Sequence, residues 1–576
     1  MLLRAFGRCC NDDDGNIDIV REGASLKREP RGPRLLRFCA DPEYVDRTDY
    51  GIPIGLPIPP EPDDPARFAL LRAWLSWCDD SHGCNKHRGE SKTALPTRVL
   101  YVGDPKGSGY DLDSVRLVCA SETSSHKYIA LSHCWGKLSD EEKKGFCTTR
   151  ANIGQRLRGF SLSELPKTFR DAVKVTRELG VLYLWIDSIC IIQYGDNGED
   201  WKSESGRMET VFSAAYCTIA AASADNSNAG FLERGVSTGY VSVQGAPGKR
   251  FYISDDIDDF DNDVGKALLS TRAWVMQERV LAQRTIHFTA NQTYWECGEG
   301  IYCENLTRLE SSSEKTYFTL DPNFPSRLLK SGRQRTIDFI QYLSENYSKM
   351  ELTFETDRCV AISGLENLIA SALSCQSRYG IFQRYIHRGL LWQASDNKME
   401  RIAYNNRHVP SWSWMAYSGG IQFIKIPFGS VDWINYLRFD EECGYAIIAD
   451  VAAFTNCTME LHGKQYAVSD SSGTERGWIR YDVEDGGELC QERCVVVGMV
   501  RNGRFKDCYY IMIVRPTGVD AGLLICYRIL FSQPLTPPNR TSGFPCQPAR
   551  DLKTLSASTG MLPLNSIWWT QHYMTV

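Results

Sequence analysis

The chain has 576 residues, of which 43% are hydrophobic, 24% are charged and 11% are aromatic. This composition excludes wholesale disorder, and the length predicts about two to four units with separate cores. The formal net charge is -6, from 65 basic and 71 acidic residues without a long Lys/Arg block, which argues against nucleic acid as a main partner.

The cysteines and the hydropathy pattern predict a cytoplasmic protein. The 21 cysteines are scattered, and many lie in apolar runs, as expected of reduced, buried thiols. The N-terminal apolar stretch is too short for a signal peptide, and no run approaches the roughly 18 apolar residues of a membrane helix. We therefore expect no membrane span.

The N-terminal region divides into two parts. Residues 1–65 are rich in Pro, Gly, Asp and Arg, which predicts an irregular arm. Residues 66–118 form a predicted extension, with a helix from Ala66 to Trp77 and a strand from Leu95 to Val102.

A group of cysteines and histidines follows the predicted helix: Cys78, His82, Cys84 and His87. These residue types are zinc ligands, but the spacing C-x3-H-x-C-x2-H is not that of a standard zinc finger, and no second pair lies nearby. A structural role without metal is therefore favoured, and the metal alternative stays open.

Residues 119–305 alternate between strand and helix patterns. The segments in chain order are a strand that begins at Tyr128, a helix from Leu165 to Gly180, an apolar strand from Val181 to Ile186, a helix from about Asp200 to Ala214 and a strand from Tyr216 to Ala221. This alternation predicts an α/β core with a mostly parallel sheet and flanking helices. Residues 306–405 read as a helical region, and residues 406–576 as a strand-rich C-terminal region.

In open parallel sheets, ligands bind outside the carboxyl ends of the strands, so the residues directly after each apolar run are candidates for a site. They are Ser132, His133, Trp135 and Gly136 after the first run, and Asp187 after the second. Trp135 offers a flat face for a ring and Gly136 allows close approach, although Trp135 can equally cap the core and Gly136 simply turn the chain. Asp187 needs a partner and is expected to orient the site.

Cys190 with His133 is an alternative pair, as a nucleophile and its base. The isoleucines around Cys190 predict instead a buried thiol with a raised pKa, which disfavours this pair.

Four blocks of the chain together resemble the fungal HET (heterokaryon incompatibility) domain: Tyr128 to Gly136, Leu165 to Gln193, Trp201 to Asn226 and Thr271 to Phe288. The resemblance implies an intracellular effector of non-self recognition that triggers programmed cell death. It also implies partners among other incompatibility proteins or further copies of the chain.

HET domains are regarded as remote relatives of TIR domains, some of which cleave NAD+ with a glutamate in a W-x-x-x-E arrangement. Trp274-Val-Met-Gln-Glu278 has this spacing. The resemblance implies a flavodoxin-related core, Glu278 as catalytic residue, NAD+ as substrate without a further cofactor, and Ser132, Arg272 and Trp274 in substrate binding. The alternative is an amphipathic helix with Glu278 paired at the surface with Arg272 or Arg279.

Other motifs of catalysis are missing from the sequence, which contains no Walker A string, GxSxG elbow, HExxH pair or GxGxxG after the first strand. Kinases, serine hydrolases, zincins and ordinary dehydrogenases are thereby disfavoured. The competing function is a non-enzymatic signalling or adaptor module that acts through protein association.

Overall fold

A computed structural model describes residues 19–22, 24–28, 34–41, 54–58, 61–82, 84, 95–104, 111–234, 239–244, 250–309, 332–395, 399–404, 408–433, 436–442, 444, 446–453, 458–463, 465–482, 493–501, 509–514, 527–530 and 570–574. The chain divides into two compact units. The first comprises Met1–Arg327 and Val360–Leu365, and the second comprises Leu328–Cys359 and Glu366–Val576.

The first unit contains fifteen described strands: β1 Ile19–Glu22, β2 Ser25–Arg28, β3 Arg34–Ala40, β4 Arg98–Tyr101, β5 Ser114–Cys119, β6 Ile129–Ser132, β7 Phe160–Ser161, β8 Tyr183–Trp185, β9 Cys217–Ala220, β10 Tyr240–Gln244, β11 Arg250–Asp255, β12 Arg284–Phe288, β13 Thr293–Cys297, β14 Gly300–Cys303 and β15 Arg308–Leu309. Its helices within the described residues are α1 Pro65–Ser81, α2 Asp140–Phe146, α3 Ile153–Arg158, α4 Lys167–Glu178, α5 Asp187–Cys190, α6 Glu199–Ser205, α7 Met208–Ala214 and α8 Ala273–Leu281.

The main sheet of this unit has ten strands in the order β15-β14-β13-β12-β9-β6-β8-β4-β5-β7. The pairings β12–β9, β9–β6 and β6–β8 are parallel. The flanking pairings are antiparallel. The predicted α/β class is confirmed, but the sheet is mixed, and the prediction of a mostly parallel sheet holds only for its four central strands. Beyond β12, the antiparallel strands β13, β14 and β15 follow one another through short turns, which antiparallel pairs permit and parallel pairs do not.

The four parallel strands follow one another along the chain as β6, β8, β9 and β12, but lie side by side as β8-β6-β9-β12. This lateral order, second-first-third-fourth, is that of flavodoxin-like sheets, in which ligands bind where the first and third strands meet. The carboxyl ends of the four strands share one edge of the sheet, which we call the carboxyl edge.

The helices around the sheet begin and end largely where the sequence predicts. Pro166 caps α4, and Gly180 lies beyond its end with a φ of 70°. The predicted helix from Asp200 to Ala214 is instead two helices, α6 and α7, which separate at Gly206, a residue with low helix propensity.

The N-terminal arm is not irregular throughout, contrary to the prediction. Strands β1, β2 and β3 join β11 and β10 in an antiparallel five-stranded sheet. Leu35 and Leu36 on β3 pack against Leu26 and Ile253. Because β10 and β11 lie some two hundred residues further along the chain, local composition does not reveal this pairing.

The second unit combines helices with a ten-stranded antiparallel sheet. Its described helices and strands are α9 Arg333–Ser348, α10 Ser363–Leu373 (which starts within Val360–Leu365 of the first unit), β16 Ser377–Arg378, β17 Ile381–Phe382, α11 Ile386–Gly389, β18 Trp392–Ala394, β19 Glu400–Arg401, β20 Tyr417–Ser418, β21 Ile421–Phe423, β22 Val431–Trp433, β23 Arg438–Phe439, β24 Ile447–Ala453, β25 Thr458–His462, β26 Gln465–Ser469, β27 Glu475–Arg480, β28 Arg493–Val500, β29 Tyr509–Val514, β30 Tyr527–Leu530 and β31 Thr570–Met574. Strands β22 to β31 form the large sheet, which confirms a β-rich C-terminal region. None of the helices in the described part of the chain combines the length and apolar character that crossing a bilayer requires.

Candidate functional site

The carboxyl edge brings together polar side chains from three elements of the first unit. Ser132 ends β6 and continues into His133–Gly136, Asp187 opens α5 just after β8, and Glu278 lies on α8. The positions of Ser132 and Asp187 follow from the strand direction, because the chain leaves all parallel strands at the same edge. Glu278 lies on the helix that precedes β12 and reaches this edge through its side chain.

Glu278 points towards the end of β6. Its Oε2 accepts a hydrogen bond of 2.5 Å from Ser132 Oγ. Burial raises the pKa of Glu278 to about 7, an effect that the charge of Asp187 strengthens and that Ser132 and Arg272 oppose. Near neutral pH both the protonated and the ionised form of this carboxyl are therefore populated.

The alternative that Glu278 forms a surface pair with Arg279 is wrong. Arg279 points to Glu296, with Nε and Nη2 each 3.3 Å from a carboxylate oxygen. Glu278 instead shares its surroundings with Arg272, which directly precedes α8 and whose charge also acts on His133.

Asp187 is fixed by two donors. Trp135 Nε1 donates to its Oδ2 at 2.8 Å, and the amide of Ser188 donates to Oδ1 at 2.7 Å. The indole of Trp135 is thus oriented by a carboxylate at the carboxyl edge, and Asp187 has the partners that the sequence required.

His133 is buried beside the same carboxylate, with Nε2 3.9 Å from Asp187 Oδ1. Burial lowers the pKa of His133 to about 4, despite the opposing charge of Asp187, so the ring is neutral at pH 7. The ring meets the edge of Phe169 with centroids 4.9 Å apart, and Nε2 has no hydrogen-bond partner among the described residues.

Gly136 has a structural reason to be glycine. Its φ is 80°, and a Cβ there would lie 2.2 Å from Cβ of Asn226. The neighbouring carbonyl of Trp135 accepts 3.3 Å hydrogen bonds from the amide and hydroxyl of Ser227. The loops after β6 and β9 therefore touch each other. Gly136 turns the chain, which agrees with the alternative that its role is structural.

Trp274 contacts a second tryptophan, and no contact of its ring with the other predicted site residues is found among the described residues. Its ring meets that of Trp201 on α6 at 6.4 Å and 80°. Of the predicted site residues, the structure thus gathers six: Ser132, His133, Trp135, Asp187, Arg272 and Glu278.

Cys190 is not placed to act as a nucleophile. Its sulfur lies 3.5 Å from the amide of Ile186 and 3.9 Å from the carbonyl of Leu184. Burial raises the pKa of Cys190 to about 12, which confirms the expectation of an inert, buried thiol.

A small cavity lies beside Ser132, between α8 and the strands β9 and β12. It is lined by Ser132, Thr218, Ala220, Ala222, Val264, Leu269, Ser270, Val275, Arg279, Thr285 and His287. The hydroxyls of Thr218 and Thr285 are buried without a hydrogen-bond partner among the described residues. The cavity therefore offers donors and acceptors that no protein group uses there.

Behind the cavity lies a buried charge network that sequence reasoning missed. Glu296 on β13 is fully buried, accepts from Arg279 and lies 2.8 Å from His287 Nε2. Burial opposes ionisation of Glu296, but Arg279 and His287 outweigh it, and the pKa is lowered. The only sequence signal was a histidine and a glutamate on two strands that a short turn joins, His287 before the turn and Glu296 after it.

Residues 128–278 match the family model described as heterokaryon incompatibility protein (HET). The chain therefore contains a HET domain, and Glu278 is the last residue of the matched stretch. A function related to heterokaryon incompatibility follows from this match. Neither a curated protein nor a solved structure matches the chain.

Proposed function

We propose that this chain is a cytoplasmic fungal effector of heterokaryon incompatibility whose HET domain cleaves NAD+ with Glu278 as the catalytic carboxylate, and that this reaction triggers programmed cell death. The observation that carries the proposal is the hydrogen bond between Glu278 and Ser132 at the carboxyl edge. The flavodoxin-like lateral order of the four central strands supports a TIR-like core.

The chemistry suits a carboxylate in this place. When the bond between ribose and nicotinamide breaks, both bonding electrons leave with the nicotinamide, which departs as a neutral ring, and positive charge develops on the sugar. An ionised Glu278 stabilises that oxocarbenium-like state, and water then adds to the sugar and releases a proton, giving ADP-ribose. Because the leaving group needs no proton, the ionised form is the active one.

The neighbouring side chains suit the other parts of the substrate. Arg272 supplies positive charge for the diphosphate, and the indole of Trp135, held by Asp187, offers a face for a ring. His133 is neutral and cannot repel the cationic nicotinamide ring. Association of several chains would open the contact between the loops after β6 and β9 and so admit a dinucleotide.

The test is NAD+ cleavage by the purified full chain, followed as nicotinamide release over a range of chain concentrations. Glu278→Gln keeps the shape and removes the charge, whereas Glu141→Gln changes an exposed glutamate on α2 and serves as the control. We expect cleavage by the wild type and by the control, and a loss of at least about a hundredfold in Glu278→Gln.

The competing function is a non-enzymatic adaptor. Expression of the wild type and Glu278→Gln in cells separates the two functions. Equal toxicity of both proteins, without loss of cellular NAD+, would refute the enzymatic proposal and support the adaptor.

A further inference from the structure

A second group of reactive side chains lies in the first unit, away from Glu278 and its neighbours. We call it the Cys3His cluster, and its members are Cys78, His82, Cys84 and Cys297. All four are buried, and one ligand atom from each lies within 4.8 Å of the other three. In the part of the chain that the structure describes, this is the one such grouping of three or more metal-ligating side chains.

The fold, and not the local sequence, completes this cluster. Cys78 lies in the last turn of α1 and His82 directly follows the helix. Cys297 ends β13 and reaches the cluster from 215 positions beyond His82, with Sγ 3.4 Å from His82 Nδ1. His87, which the sequence grouped with the others, lies outside the described residues.

Packing around the cluster fixes the two elements that carry it. Trp74 on α1 stacks on Trp295 of β13 with centroids 6.2 Å apart. Asp79, next to Cys78, accepts a 2.6 Å hydrogen bond from Arg284 of β12. The ring of Trp77 meets that of His82 at 4.2 Å, so the imidazole is held in one orientation.

The ligand set is that of a structural zinc site, and its four ligand atoms lie within 4.8 Å of one another. Zinc binds thiolate sulfur at about 2.3 Å and imidazole nitrogen at about 2.0 Å, so neighbouring ligands of a tetrahedral site lie roughly 3.5–3.8 Å apart. The sulfur-to-nitrogen distance of 3.4 Å lies close to this range. The backbone at Gly298 and Glu299 donates hydrogen bonds to Cys84 and Cys297, as is favourable for thiolates.

Without a metal the same arrangement has no evident stabilising role. Three thiols and an imidazole would be buried together with only weak hydrogen bonds between them, where apolar side chains would pack better. A divalent ion would form a coordination bond with each of the four side chains, and these bonds would offset the free-energy cost of burying polar groups together. The site is closed, because four protein ligands leave no position for water or substrate.

We propose that the Cys3His cluster binds one zinc ion and that this ion fastens α1 to the hairpin formed by β13 and β14. Its ligands lie on both sides of residues 128–278 and outside them, so the ion joins the segments that flank the HET match. The site is structural and takes no part in NAD+ cleavage.

The test begins with the wild-type full chain, purified without added metal. Elemental analysis should find about one zinc per chain, and X-ray absorption at the zinc edge should show three sulfur ligands and one nitrogen ligand. A chain that is folded but free of metal would overturn the proposal, as would a disulfide within the cluster or a zinc ion with only nitrogen and oxygen ligands.

Variants then assign the ligands. Cys297→Ser should weaken zinc retention against a chelator by more than the roughly 10–100-fold typical of changes outside the ligand shell. Cys119→Ser, a partly exposed cysteine outside the cluster, is the matched control and should retain zinc. If the two variants retain zinc equally well, Cys297 is not a ligand of the ion. If Cys297→Ser does not fold, the absorption measurement on the wild type still decides the question.

Discussion

Replacing Glu278 by glutamine should stabilise the first unit at alkaline pH and leave it nearly unchanged at acidic pH. The reason is the cost of ionising a carboxyl that is largely shielded from water beside Asp187. Glutamine keeps an oxygen that accepts the hydrogen bond from Ser132 but never becomes charged.

The size and the sign of this effect follow from the pKa. Burial raises the pKa of Glu278 from 4.5 to about 7, which corresponds to about 3 kcal/mol. Below pH 4.5 both the folded and the unfolded carboxyl hold the proton, and the charge costs nothing. As the pH rises from 4.5 to 7, the unfolded state releases its proton first, so the wild type loses stability, and above about pH 8 the loss is complete.

Calorimetric unfolding at pH 5 and pH 8.5 measures the difference. Glu278→Gln should raise the transition of the first unit by roughly 5 °C at pH 8.5 and by much less at pH 5. Glu141→Gln, at an exposed position on α2, should move no transition at either pH. If Glu278→Gln shifts the transition temperature equally at both pH values, the Glu278 carboxyl is not shielded from water. Its pKa would then not be raised to about 7.

Three further substitutions test neighbouring features. Ser132→Ala removes a hydrogen bond to a charged group worth about 1.5–3 kcal/mol, which should raise the pKa of Glu278 by about 1–2; the pH profile of NAD+ cleavage should move up by that amount, and an unmoved profile contradicts the contact. Gly136→Ala should lower the free energy of unfolding by at least about 2 kcal/mol, because residue 136 has a positive φ and a Cβ there would clash with Asn226. Denaturant titrations measure this loss, and adding Asn226→Gly should restore part of it. If nothing is restored, the clash is ruled out. Glu296→Gln leaves the guanidinium of Arg279 without its counter-charge, while His287, whose pKa burial lowers, is neutral at this pH. The change should destabilise the first unit by about 3–5 kcal/mol at pH 8, measured by thermal unfolding; a loss below about 1 kcal/mol would mean that Glu296 and Arg279 do not form a buried ion pair.

Local patterns in the sequence predict those parts of the fold that local interactions determine. The helix from Lys167 to Glu178 has its buried stripe, its proline and its terminating glycine within fifteen residues of each other. The candidate site was partly predictable for the same reason, because the direction of a parallel strand places the residue after it at a known edge. Ser132 and Asp187 lie where that rule puts them.

Other features depend on partners far away along the chain. Cys297 joins a group of ligands that ends at Cys84, and β3 pairs with β11 across some two hundred residues. Periodicity reports which face of a segment is apolar and carries no information about which segment covers it. The buried partner of Arg279 was missed for this reason, since Glu296 reads as an ordinary polar position until the two elements are packed together.

The mixed sheet also dictates where this chain can be cut. A fragment that stops at residue 278 would discard β12 and leave β9 with a row of unsatisfied amides and carbonyls, and one that starts at residue 128 would do the same to β8 by removing β4. An exposed strand edge of this kind can pair with strands of other molecules and so favours aggregation. Because β3 pairs with β11, a soluble fragment for biochemistry should therefore begin ahead of β1 and end after β15, well outside the limits set by family similarity.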